Sequence, residues 1–291
     1  MSVFPIRKRR KPSFMQSDEN WDLIVEAGKT ERHYWKDLWR FRELFFFLAW
    51  RDFLVRYKQT VFGIAWSVIR PVLTMIVFTI IFGKIAKLDS GNIPYPVLVY
   101  AAMLPWQFFS NAFQEASNSL IGNVNLISKI YFPRMIVPIS TVMVCLIDFL
   151  ISFAIYAVLI IWYRIPFSSN MLFLPLFLIL AFLAAMGTGL LVCALNVKYR
   201  DFRYIVPFVV QFGLYISPVG FSSNVISGKW RLLYSINPMV GIIDGFRWAL
   251  LGKEANLFLP SFMISLCLIV ALLFAGILYF RSTERVFADV I

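Results

Sequence analysis

The chain is poor in the residues that most often carry chemistry. Its one histidine, His33, excludes histidine-based triads and multi-histidine metal sites. The three cysteines, Cys145, Cys193 and Cys267, each sit inside an apolar stretch, where a small hydrophobe is the expected role and no disulfide or metal centre is indicated. Charged residues form only 15% of the 291, against roughly a quarter in a soluble domain. A phosphate-cradling loop is also missing. The nearest Gly-Lys pair, Gly228-Lys229, is followed by Trp230 and has Ser223 where the upstream glycine would stand. The first sixty residues are polar and basic, unlike the short charged head and apolar core of a cleavable signal. Neither a repeat of 20–50 residues nor a low-complexity linker divides the chain.

What is present suits a bilayer. Hydrophobic residues make up 60% and aromatic residues 18%. A spanning helix needs about 20 mainly apolar residues. Six such runs occur, at roughly 61–83, 97–120, 138–162, 171–196, 204–221 and 258–280, with Pro71, Pro105, Pro207 and Pro218 marking kinks or ends. They are far longer than the ten or so alternating residues of a barrel strand, so the expected fold is an all-α membrane protein with six transmembrane helices.

Charge placement orients the chain. The net charge of +12 comes largely from ahead of the first run and from short gaps between runs, which suits anionic headgroups rather than nucleic acid. Residues 1–60 hold thirteen of the 28 Lys and Arg, including Arg7, Lys8, Arg9, Arg10 and Lys11. They place the N-terminus inside, and an even number of spans places Arg281, Arg285 and the C-terminus inside too. Elsewhere the bias is weak. Lys129, Arg134, Lys198, Arg200 and Arg203 fall inside, against Lys84, Lys87, Arg164, Lys229, Arg231, Arg247 and Lys253 outside.

Three segments do not read as spans. Residues 34–58 mix Trp35, Trp39, Phe45 and Trp50 with Arg40, Arg42, Arg51 and Arg56, the pattern of an amphipathic helix lying at the inner membrane surface. Such a helix either anchors the chain or meets a cytoplasmic partner. The outer segment 222–257 is too short for a domain and too apolar for a loop. Asn237 can cap a helix starting at Pro238 and Gly252 can end it, which predicts short re-entrant or interfacial helices buried against the rest. The third is the inner loop 121–137. The organisation is a basic cytoplasmic tail (1–33), one transmembrane domain (34–281) and a cytoplasmic tail (282–291).

Few residues stand out as functional. Gln107, Ser110, Asn111, Gln114, Glu115 and Asn118 recur at helical spacing and form one polar stripe on the second span. Polar groups in a bilayer need partners or water, so the stripe either bonds to other helices or lines a hydrophilic pathway. Phe78, Phe82, Tyr100, Trp106, Phe109, Tyr215 and Phe221 lie near the outer ends of spans. They are either packing and belt residues or flat surfaces suited to sugar rings. Asp148 falls near the middle of the third span, with no His, Lys or second acid expected at that depth. It is either a proton-coupling carboxylate or an acid satisfied by a polar neighbour or a second subunit.

Five motifs form a recognisable set. They are RDFLVRYKQTVFGIAW (51–66), YAAMLPWQFF (100–109), SKIYFPR (128–134), LNVKYRDFR (195–203) and INPMVGIIDGFRWALLG (236–252). From about 44 to 279 the chain resembles, in order and spacing, the permease subunit of bacterial ABC exporters of O-antigen and related surface polysaccharides, a type-two ABC transporter family. The resemblance implies a homodimer of six-helix subunits in the bacterial inner membrane, joined by two copies of a cytoplasmic nucleotide-binding subunit that holds ATP and Mg, with no cofactor in this chain. It makes the loop containing Asn125, Leu126, Ser128, Lys129, Tyr131, Phe132 and Arg134 the helix that receives the ATPase stroke. It makes 34–58 an interface helix and 222–257 the pair of short helices near the channel exit.

The resemblance also marks the path. The first and fifth helices line much of it, which selects Phe78, Phe82, Tyr215 and Phe221 beside Trp106, Gln107, Phe109, Asn111 and Gln114. Arg51, Arg56, Lys58 and Arg70 fall at the cytoplasmic mouth. Arg70 stands where an uncharged polar residue is expected before the proline; it either contacts an anionic lipid-linked substrate or snorkels to headgroups. The implied function is non-catalytic: a channel through which lipid-linked O-antigen polysaccharide moves outward, driven by ATP hydrolysis on the partner. The alternatives are teichoic acid, capsule polymer or another glycolipid as cargo, a proton-coupled transporter centred on Asp148, and a membrane-embedded glycosyl-transferring enzyme, for which the outer segment offers only Asp244 and Glu254 as acids.

Overall fold

The computed structural model describes residues 34–58, 63–91, 93–199, 201–226, 229–252, 255, 257–284 and 287. The basic tail 1–33, with His33, lies outside them, as do Arg200, Gly228, Lys253, Glu254 and Arg285. The described elements are α1 (Tyr34–Arg40), α2 (Arg42–Lys58), α3 (Gly63–Phe78, continued by a π-helical turn Thr79–Ile85), α4 (Tyr95–Gly122), α5 (Val124–Ile127) and α6 (Ile136–Tyr163). A 3-10 turn Ser169–Phe173 leads into α7 (Leu174–Lys198), then α8 (Phe202–Ile216), a 3-10 turn Ser223–Val225, α9 (Lys229–Tyr234), α10 (Pro238–Leu251) and α11 (Leu259–Thr283). Among the described residues every regular element is helical.

Four helical stretches are long and apolar enough to cross a membrane: Ala65–Ile85, Ile136–Tyr163, Ser169–Lys198 and Leu259–Thr283. The other two apolar runs differ from these for separate reasons. The 28 residues of α4 span about 42 Å, more than the ~30 Å hydrocarbon core, but the polar stripe lowers its hydropathy. It tolerates the stripe because it is the central helix, packed by α3, α6, α7, α8 and α10, with all of Val97 to Trp106 buried. α8 has only 15 residues, about 22 Å, and ends at Ile216 rather than near 221. The next proline, Pro218, forces Ser217 into an extended conformation (ψ 151°), which closes the helix early.

Contacts at the two ends of the bundle give the topology. At one end the start of α1, the residues before α6 and the end of α11 meet. The Tyr34 hydroxyl donates to Glu284 Oε1 (3.4 Å), the Arg134 backbone N–H donates to the same oxygen (2.8 Å), and the Arg281 guanidinium lies 4.8 Å from the Tyr34 ring centre. The opposite end gathers the start of α4, the turn before α7, the segment after α8 and α10. There the Tyr95 hydroxyl donates to the Gly220 carbonyl (2.6 Å) and the Asn170 amide to that of Trp248 (3.5 Å).

Small residues let α7 and α11 approach closely. A Cβ on Gly276 would lie 2.2 Å from the Gly187 carbonyl oxygen, and one on Gly187 would lie 2.7 Å from the Leu273 backbone nitrogen. The backbones therefore touch, as in other membrane helix pairs built on small residues. Gly276→Ala is expected to push the helices apart at a cost of about 1–3 kcal/mol, seen as a lower midpoint of thermal unfolding in detergent.

Candidate functional site

The polar stripe of α4 resolves into two parts. At its lower end Asn118 is an interhelical partner: the Asn196 amide on α7 donates to its Oδ1 at 3.2 Å and to the Ser117 carbonyl at 3.0 Å. Above that point Gln107, Ser110, Asn111, Gln114 and Glu115 line a cavity of about 450 Å³. The facing walls are Trp66, Ser67, Arg70, Pro71 and Thr74 of α3 and Val210, Gln211 and Leu214 of α8; Arg56, Asp148 and Ser152 close one side. The interhelical expectation describes the lower stretch of the helix, while the upper stretch faces a cavity.

Asp148 lies twelve residues into α6, about 18 Å along its axis. It is satisfied by polar neighbours. Arg56 Nη1 donates to Asp148 Oδ2 at 2.6 Å, the Tyr57 hydroxyl donates to Oδ1, and Ser67 Oγ reaches Oδ1 at 3.4 Å. The second guanidinium nitrogen of Arg56 pairs with Glu115 on α4. A second acid therefore stands beside Asp148, contrary to the expectation that none shares its depth. Lower down, Arg51 Nη2 donates to Asn123 Oδ1 at 2.7 Å and pairs with Asp52. As residue numbers rise from Arg51 to Arg56 in α2, the partners on α4 step back from Asn123 to Glu115. The end of α2 thus runs antiparallel to α4, alongside α4 and α6. Lys58, at its last position, is exposed.

Sequence reasoning missed this cluster because 34–58 read as one helix on a surface. It is two helices, broken at Phe41, and its large apolar side chains Trp35, Trp39, Phe46, Phe47, Trp50 and Val55 are exposed. The signal that existed was Arg56-Tyr57 itself, two long hydrogen-bonding side chains at the end of an apolar helix.

The aromatic candidates separate as well. Trp106 lines the cavity and is buried, its ring against Gly213 of α8 and 5.8 Å from that of Phe109. Phe78, Phe82 and Tyr215 form a cluster between α3 and α8, with ring centres 5.5 Å (Phe78 to Phe82) and 6.3 Å (Phe78 to Tyr215) apart. Phe78 is buried there, while Tyr215 presents an exposed ring. Phe221 packs 6.5 Å from Tyr234, and Tyr100 is buried and stacked 6.4 Å from Tyr156. Phe78, Phe82, Phe109, Tyr215 and Phe221 are not in the cavity lining.

The loop between α4 and α6 is a single helical turn, α5, followed by turns to Arg134. It frames a hollow of about 260 Å³ lined by Ile127, Ser128, Lys129, Ile130, Tyr131, Phe132 and Arg134. Phe132 anchors it inward; Asn125, Ser128, Lys129, Ile130 and Tyr131 are exposed, and Leu126 is half-buried. Arg134 ties the loop to the end of α11 through its backbone N–H and its guanidinium, which donates to the Glu284 carbonyl. Burial pushes the Glu284 carboxyl above its ordinary value, against the pull of the Arg134 N–H, the Tyr34 hydroxyl and the Arg134 and Arg281 charges.

At the opposite end, Asn237 Oδ1 accepts from the Met239 N–H (3.0 Å), Pro238 opens α10, and Gly252 closes it at φ +64°, as the sequence predicts. Nearly all of α10 is buried. Arg247, counted with the outer loop charges, is an internal residue with 3% exposure. Its guanidinium donates to the carbonyls of Val219 (3.0 Å), Phe221 (2.8 Å) and Leu98 (3.4 Å), and Asp244 accepts from Ser223 Oγ at 2.6 Å. With the Tyr95 bond to Gly220, these side chains satisfy an irregular segment after α8 that has no helical partners of its own.

Among the described residues, His, Cys, Asp and Glu form no group able to hold a metal ion. Residues 43–251 match the family described as ABC-2 type transporter. The chain is 26% identical over 248 residues to the O-antigen export system permease protein RfbA of Klebsiella pneumoniae, covering 83% of this chain and 92% of the relative. It is 23% identical to the polysialic acid transport protein KpsM of Escherichia coli, covering 81% and 91%. It is also 23% identical to the capsule polysaccharide export inner-membrane protein CtrC of Neisseria meningitidis serogroup A, covering 78% and 86%.

Proposed function

Because the chain belongs to the ABC-2 type transporter family, we propose that it is the channel-forming subunit of an ATP-driven exporter of lipid-linked surface polysaccharide in a bacterial inner membrane. In this reading α3, α4, α6, α7, α8 and α11 make six crossings. The polar α4 is shielded from lipid by its neighbours, and the short α8 is completed by the segment that Arg247 supports. Tyr34, Arg134 and Glu284 lie on the cytoplasmic side, where residues 1–60 carry thirteen of the 28 basic residues. Two copies form the channel, and two ATPase subunits dock at the inner loop 125–134. The chain itself is non-catalytic. O-antigen is the first cargo, with capsule polymer, teichoic acid or another glycolipid as the alternatives.

One observation carries the reading: amides, hydroxyls and a tryptophan line a 450 Å³ cavity between helices at membrane depth, the chemistry needed to pass a hydrated polymer through an apolar slab. The exposed turn at 128–131 supports docking of a partner. Reconstitution into liposomes with the ATPase subunit is expected to give polymer translocation that requires ATP. Translocation by this chain alone, with no ATPase present, would overturn the proposal.

A further inference from the structure

We propose that Glu284 is a positioning residue for coupling: it fixes the far end of the loop between α4 and α6, so that a push on the loop reaches α11 as well as the two helices the loop joins. The near end of the loop is held at Asn123, whose Oδ1 accepts from Arg51 of α2 at 2.7 Å. The far end is held at Arg134, 150 residues from Glu284 in the chain. Both the side chain and the main chain of the glutamate take part. Glu284 Oε1 accepts from the Arg134 backbone N–H at 2.8 Å, and the Glu284 carbonyl accepts from the Arg134 guanidinium. The same Oε1 accepts from the Tyr34 hydroxyl at 3.4 Å, which brings the start of α1 into the joint.

The surroundings make the joint stiff. Phe287 is fully buried, with its ring 5.9 Å from the Arg134 guanidinium and 5.3 Å from that of Phe280 on α11. Phe132 and Met135, flanking Arg134, are buried too, whereas Ser128 to Tyr131 are exposed. An exposed face above a fixed end passes a displacement on, because packed helices shift as units and do not deform continuously. α11 in turn touches α7 backbone to backbone at Gly187 and Gly276, and α7 packs on α4, the helix that carries the polar stripe. A loop tied only to α4 and α6 would move those two helices and leave α11 behind.

The inference rests on docking of the ATPase at this loop, but the first of its two measurements needs no ATPase. With the full chain in nanodiscs, hydrogen exchange of peptides covering 128–138 is expected to speed up at least about tenfold in Glu284→Ala, the loss of a hydrogen bond to a charged acceptor. Glu284→Gln should change it little, because both bonds to the carboxylate use Oε1 and an amide oxygen can take its place. In proteoliposomes with the ATPase subunit, Glu284→Ala is expected to lower the polymer moved per ATP hydrolysed by at least about threefold at an unchanged KM for ATP, and Glu284→Gln to restore the ratio. Monodisperse elution shows that each variant is folded; Glu284→Leu, which keeps the bulk and removes the acceptor, replaces Glu284→Ala if that variant does not elute so. Unchanged exchange in the variant lacking the acceptor overturns the joint. Faster exchange with a wild-type ratio of polymer to ATP overturns the transmission, as does weaker binding of the ATPase at an unchanged ratio, which makes Glu284 a determinant of the docking face alone. Each of these results leaves ATP-dependent export standing, whereas translocation with no ATPase present would overturn the function and leave the exchange measurement intact.

Discussion

Arg247→Met is expected to cost about 3–5 kcal/mol of stability and to remove most folded protein from the membrane fraction. The residue supplies hydrogen bonds to three backbone carbonyls, of Leu98, Val219 and Phe221. Those of Val219 and Phe221 belong to the stretch where α8 has stopped. Methionine fills similar volume and donates nothing, so each abandoned carbonyl costs about 1–3 kcal/mol if no water reaches it. Asp244 would also lose the cation that helps hold its charge in a buried position. Arg247→Lys should lie between, because a single ammonium keeps the charge but cannot fan out to three acceptors. The check is the unfolding midpoint of detergent-solubilised protein with its recovery after size-exclusion chromatography. A midpoint for Arg247→Met equal to that of wild type would show that the guanidinium does not hold the segment.

Arg247 also shows where the sequence was legible and where it was not. Helix existence was readable because bilayer-length apolar runs have one solution for their backbone groups, and the caps of α10 were readable because Asn-Pro and Gly act through local geometry. The depth of a charge was not. An arginine near a span end looks the same in sequence whether it faces headgroups or bonds to carbonyls of a segment almost thirty residues away. The early end of α8 was foreshadowed by Pro218, but the number of residues that a crossing can lack depends on what else satisfies the chain beyond Ile216.

The candidate site was legible by halves. Gln107, Asn111 and Gln114 share a face by helical periodicity alone, and that face meets the cavity. The aromatic set was chosen by nearness to span ends, a criterion blind to rotation about the helix axis. Trp106 therefore faces the cavity, while Phe78, Phe82 and Tyr215 pack between α3 and α8. The two nearest partners of Asp148 come from α2, 91 and 92 residues away in the chain, and no local pattern connects them.

Arg56→Ala is the second large effect, at about 2–4 kcal/mol, because it strips the cation from two carboxylates at once. Most of the loss comes from Asp148, whose side chain is 17% exposed; Glu115, at 48%, keeps contact with water in the cavity. Asp148→Asn alone should be milder, since an amide oxygen still accepts from Tyr57 and Arg56 keeps Glu115. In the double variant the stranded Asp148 charge is gone, so its loss of stability should be smaller than the sum of the two single losses by about 1–3 kcal/mol. Transport separates this structural role from a proton-coupling one. If Asp148 only anchors α2 to α6, Asp148→Asn retains ATP-dependent export, and whatever Arg56→Ala loses is partly recovered in the double variant. A proton carrier predicts the opposite: export lost in every variant lacking the carboxyl, at undiminished ATPase activity, with no recovery in the double variant.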